Sequence, residues 1–386
     1  MKLATALKRS RTFLLAAAPI AALGAIGIPG GITDATAEST DGQPVIQDGR
    51  IGYVMTQKYW AVYQTPGAEK ECPNGFNTGP REQFKLLYPE DDGQKYTLLG
   101  THLEREAEIW HPGLYEEPYP FHEAVGDTAL GINLDGKVSE NDFMSPDGDE
   151  GVDNELYRVI GCIANYRGPD GTIYHFENKY VRENRFDRQL IELTGVDSLI
   201  NDDEVTVTTY RGMDGILTDA TGKDFIPGGT QRVDTRWGDR FSQSFKGKIV
   251  DGVLTTEPAD LEMPWSATFE TNTNQVVKGV QYKLRLTETT AEGIIGGYAD
   301  VQSWYYRLTK AWSTHHQSYG QLSSPSVFRA LNRLADAYPD PETGKNTAIS
   351  SAMDVKFTQV FILHDGDEQP VAAVEAEGQQ RLASAE

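Results

Sequence analysis

The run Val205-Thr206-Val207-Thr208-Thr209-Tyr210 decides the fold class of this chain. Five β-branched residues and a tyrosine stand together, and such side chains suit a pleated surface better than a helical turn. The same pattern resumes at Asp354-Val355-Lys356-Phe357-Thr358-Gln359-Val360-Phe361-Ile362. Upstream, Ile51 to Tyr63 is rich in Tyr, Val, Ile and Trp and reads as a strand pair or one long strand, ended by Thr65-Pro66-Gly67. Asp214-Gly215-Ile216-Leu217-Thr218 recurs as Asp251-Gly252-Val253-Leu254-Thr255 and, more loosely, as Glu292-Gly293-Ile294-Ile295-Gly296. An acid and a glycine between β-prone runs predict three successive hairpins of one antiparallel sheet. The expected fold is mainly β with helical additions (α+β), an antiparallel sheet of sandwich or barrel type.

Three helices are expected. Asp153 caps a segment with apolar positions Leu156, Ile160 and Ile163, stopped by Gly168-Pro169, which places Cys162 on a helix. A second runs from about Glu183 to Leu193 and ends at Gly195. The third, near 325–338, has Ser324 as cap, Pro325 as first residue and a stripe of Val327, Leu331, Leu334, Ala335 and Tyr338 before Pro339. The chain thus divides into a mixed α/β region at 38–200, a β-rich region at 201–364 and a polar, disordered tail at 365–386. One elaborated domain and two closely packed ones are both allowed.

The 386 residues carry a formal charge of -22. No concentrated basic face is visible, which excludes nucleic acid and disfavours anionic membranes. Residues 1–37 read as an export signal: Lys2, Lys8, Arg9 and Arg11 lead, Phe13 to Ile28 are almost wholly apolar, and Ala35-Thr36-Ala37 offers a cleavage site. A secreted or periplasmic protein follows, with no membrane span after signal cleavage. The two cysteines, Cys72 and Cys162, are expected to form a disulfide in that compartment, two buried thiols being the alternative.

The chemistry concentrates between Asp127 and Glu155, where nine acids face a single lysine. Asn133-Leu134-Asp135-Gly136-Lys137-Val138-Ser139-Glu140-Asn141-Asp142-Phe143 resembles the calcium loop of dockerins and EF-hands. The resemblance implies Asn133, Asp135 and Asp142 as oxygen ligands, with Lys137 offering its carbonyl. Gly131 occupies the first ligand position, so the motif is incomplete. Asp147, Asp149 and Asp153 add a second set of carboxylates at i, i+2 and i+6. Such a density repels itself unless it is solvated or neutralised, and calcium is the cation the sequence points to.

Other motifs are sparse. The seven histidines include no His-Glu-x-x-His, the nucleophile elbow lacks its leading glycine, and no phosphate loop is present. Trp304 and Tyr306, on one face of an expected strand, with Trp312, His315 and His316, offer a stacking surface for a flat ligand; core packing is the blander reading. The leading expectation is an exported, calcium-stabilised binding or accessory protein with an unknown extracytoplasmic ligand or protein partner, working by binding rather than catalysis. The rival is an extracytoplasmic hydrolase acting on a carbohydrate or other polymer.

Overall fold

Alternation of burial along the strands fixes what faces inward. In the strand Asp202–Arg211, Val205 and Val207 are buried while Thr206 and Thr208 are not, as a half-buried strand of period two requires. The computed structural model describes residues 45–77, 107–108, 110–116, 121–167, 171–183, 185–265, 274–309 and 324–367. Its strands are β1 (Arg50–Trp60), β2 (Gln189–Thr194), β3 (Asp202–Arg211), β4 (Gly229–Arg232), β5 (Gln243–Val250), β6 (Val253–Thr256), β7 (Ala259–Pro264), β8 (Asn274–Leu286), β9 (Thr290–Asp300), β10 (Ala337–Pro339) and β11 (Asn346–Leu363). The helices are α1 (Glu155–Ile160), α2 (Thr172–Glu183), α3 (Val301–Thr309) and α4 (Ser324–Leu334).

Eight strands run in the order β1-β2-β3-β5-β6-β8-β9-β11, and β11 returns to pair with β1. Every pairing around this ring is antiparallel, so the ring is a closed barrel without free edges. Three strands add to its outside: β7 on β8, β10 on β11, and β4 parallel to β11. Eight strands leave an interior that side chains can fill. Tyr53, Leu193, Val207, Phe245, Leu284 and Phe357 fill it, all but inaccessible to solvent. The boundary at residue 200 falls between β2 and β3 of this one barrel.

The long β11 is buried on both faces. On its outer side, Val360 and Ile362 join Val54 and Leu190 in a second apolar cluster, packed against Ile216 and Val233 of the 212–233 segment. Nearer its start, α1 and α4 pack against it and against each other, while α2 lies on β1. Cys72 and Cys162 form a disulfide with a Cα–Cα distance of 5.7 Å, tying the chain after β1 to the chain after α1.

Several local expectations are corrected. Only Asp251-Gly252 turns a hairpin: both residues have positive φ, 50° and 77°, the pairing a two-residue β5–β6 turn needs. Asp214 lies in a loop, where it pairs with Arg232, and Glu292-Gly293 lies inside β9. The helix expected at 183–193 ends where it was to begin; α2 precedes it and Gln189–Thr194 is barrel strand β2. Cys162 follows α1, which stops at Gly161, and Asp153 does not cap it because its carboxylate accepts the Leu134 N–H. Ala335 and Tyr338 lie beyond α4, whose chain passes into β10.

The aromatic run at 304–306 is helix, not strand. Asp300 Oδ1 accepts the Ser303 N–H at 2.6 Å and starts α3. Trp304, 1% exposed, then meets Trp60, which stacks on Trp265 with centroids 5.1 Å apart. Tyr306, 36% exposed, faces away from it. Trp304 therefore serves the core, and the two rings do not share a face. Trp312, His315 and His316 lie outside the described residues, as do 1–37 and the tail beyond 367.

Candidate functional site

The acidic segment is stapled to the barrel before it forms any site. Short antiparallel bridges join Ile132 to Asp153 and Phe143 to Val152, folding residues 131–155 back on themselves. Phe143 is buried edge-on to Tyr157, 5.7 Å between centroids, and the Arg158 guanidinium lies 4.2 Å over its ring. Asn154 donates to the carbonyls of Ala61 and Leu130, at 3.0 and 2.8 Å, which locks the start of α1 to the end of β1. Gly151, with φ of 74°, lies so close that an added Cβ would be 2.4 Å from the Lys137 carbonyl oxygen.

The loop is held by its own amides. Asn133 Oδ1 accepts the Gly136 N–H, and its amide nitrogen donates to the Lys137 carbonyl at 2.7 Å. Asp135 accepts both the backbone and the ammonium of Lys137, and Asp142 Oδ2 accepts the Ser139 N–H at 2.6 Å. An amide donor stands on the carbonyl that would be a ligand, and among the described residues no group of three His, Cys, Asp or Glu is close enough to hold an ion directly. Asp147 is exposed, and Asp149 pairs with Lys283 at 2.9 Å.

Three of the expected residues nevertheless share a cavity of about 570 Å³: Asp135, Asp142 and Asp153. Opposite them stand Asp336 from the chain after α4, Tyr298 from β9 and Ser350 from β11. Ser350 is the hinge of this wall. Its hydroxyl donates to Asp336 at 2.5 Å and accepts the Glu155 N–H at 2.8 Å, while its own N–H goes to Asp336 at 2.8 Å. Two cations are present, each already engaged: Arg158 with Glu155 at 3.1 Å and Arg333 with Glu123.

Electrostatics separates these carboxyls. Burial, then the charges of Asp142, Asp135 and Asp336, push Asp153 up to about 6, against the pull of the Leu134 N–H. Burial also raises Asp336, opposed by its bonds from Ser350, and raises Glu155, opposed by Arg158. Asp135 moves the other way, lowered mainly by the Lys137 backbone N–H. One cavity thus holds a carboxyl that keeps its proton toward neutral pH beside another that loses it early. Such a cavity can attract a cation or pass a proton.

No sequence signal marks Asp336 and Ser350, since each stands alone about 200 residues from the acidic run. Glu155 belonged to that run but carried no separate signal. His364 bonds Glu192 Oε2 at 2.9 Å outside this cavity, where Arg50 takes the other oxygen at 2.6 Å.

Fold and site together define a disulfide-linked, closed antiparallel barrel with an acidic cavity at one end of its wall. No protein-family model matches the chain, and no curated protein or solved structure matches it. Among the described residues, no helix is long and apolar enough to cross a membrane.

Proposed function

We propose that the chain is an exported binding or accessory protein, stabilised by calcium held in the acidic cavity. The observation that carries this reading is the convergence of Asp135, Asp142 and Asp153 on one cavity with Asp336; burial first, and then the charges of these neighbours, raise Asp153 to about 6. A divalent cation would relieve that repulsion. Asp142 and Asp153 each spend one oxygen on a loop amide and keep the other. Calcium would therefore retain several waters, in keeping with the weak affinity, about 10⁻⁴ to 10⁻³ M, sufficient outside the cell. The Cys72–Cys162 disulfide supports export, because such bonds persist in oxidising compartments. Melting in chelator and in millimolar calcium tests the proposal: a midpoint raised by calcium supports it, and an unchanged midpoint rejects it.

A second reading rests on the opposed shifts of Asp153 and Asp135. In a hydrolase acting on a carbohydrate or other polymer, Asp153 would donate the proton to the leaving group and an ionised neighbour would orient water or stabilise positive charge. Incubation with a glycan pool separates the readings: consumption that stops in Asp153→Asn favours the enzyme, and no consumption favours the binding protein.

A further inference from the structure

A second cleft, of about 770 Å³, lies outside the barrel wall between β1, β11, α2 and the loop around residue 224. Its charge runs against the rest of the chain. Lys179, Arg182, Lys223 and Lys356 line it, opposed by Glu183 and Asp224, in a protein of net charge -22. The cations come from three separate parts of the fold, and the fold sets where they stand. Arg182 of α2 donates to the Lys223 carbonyl at 3.1 Å and lies 4.7 Å over the Phe225 ring, which clamps the loop to the helix. Lys356 projects from β11 and pairs with Glu292 at 3.1 Å.

The floor is neutral and polar. Thr56 and Thr358 are buried side by side, hydroxyl to hydroxyl at 3.3 Å, with Thr56 donating to the Lys356 carbonyl. Gln57 and Asn178 add amides, and Asn178 is fixed by accepting the Lys58 N–H at 3.1 Å. We infer that this cleft binds an anionic carbohydrate, a small polyhydroxylated ligand bearing a carboxylate or phosphate. The cations meet the anionic group, while the Gln57 and Asn178 amides and the accepting oxygen of Thr358 meet ring hydroxyls. Glu183 and Asp224 accept hydrogen bonds from sugar hydroxyls, which a bare inorganic anion does not offer. The volume falls within the range of small-molecule sites.

Isothermal titration of the full chain with glucuronate, glucose 6-phosphate and uncharged glucose tests this. Saturable binding of at least one charged sugar is expected, weakened by added salt. The two charged sugars distinguish a carboxylate from a phosphate. The double variant Lys223→Ala/Lys356→Ala should weaken that binding at least tenfold, while Lys246→Ala on β5 leaves it unchanged. Failure of both charged sugars to bind, equal binding of glucose, or undiminished binding by the double variant would each overturn the inference. None of these readouts depends on the acidic cavity.

Discussion

Replacing Asp153 with asparagine isolates the electrostatic stress in the acidic cavity. Asparagine keeps the shape and the carbonyl oxygen that accepts the Leu134 N–H, and removes only the charge. The folded carboxyl holds its proton to about 6, against 3.8 for its ordinary value. Its ionisation therefore destabilises the fold: the penalty is absent below the lower value, grows between the two and is constant above the higher. The full difference is at most about 3 kcal/mol. Solvent reaching this partly exposed group reduces that to about 1–2 kcal/mol. Without calcium, Asp153→Asn should thus melt about 2–5 °C above wild type at pH 7.5, and within about 1 °C of it at pH 3.5. In millimolar calcium the wild type should rise and the variant should not. Calorimetric melting at the two pH values decides the matter. A variant less stable at pH 7.5, or a difference that persists at pH 3.5, would refute the reasoning.

Three further outcomes follow from the packing. Cys72→Ser/Cys162→Ser reopens a closure of 90 residues and should cost about 4 kcal/mol in the chain-entropy model; denaturant titration showing no loss would remove the disulfide from the account. Leu284→Ala hollows the filled barrel interior and should destabilise by about 2–5 kcal/mol, whereas a cost under about 1 kcal/mol would mean that the interior collapses freely. Gly151→Ala drives a Cβ into the Asn133–Lys137 contact at a positive-φ position; it should lower the melting point and weaken any calcium response, and an unaltered response would detach the loop from the cavity.

The strands whose two faces differ were legible in sequence. β3 alternates cleanly because Val205 and Val207 enter the barrel while Thr206 and Thr208 do not. β2 misled because it is buried on both faces: Leu190 packs outward with Val54, Ile191 and Leu193 pack inward, and the Leu190–Leu193 spacing imitates a helical turn. α3 misleads in the opposite sense, since Trp304-Tyr305-Tyr306 favours a strand by propensity while the cap that starts the helix is a single residue, Asp300. The closure of β1 on β11 pairs Tyr53 with Gln359, about 300 residues apart, a contact no local pattern encodes. The candidate cavity was half legible for the same reason. Asp135, Asp142 and Asp153 advertise themselves by density, whereas Asp336 and Ser350 reach the cavity only through the path of α4 and β11.

The location of the ion tests the central claim most directly. A crystal grown in millimolar calcium should give an anomalous peak inside the cavity, bonded directly or through water to Asp142 and Asp153. A cavity without such a peak, with calcium bound elsewhere or nowhere, would contradict it.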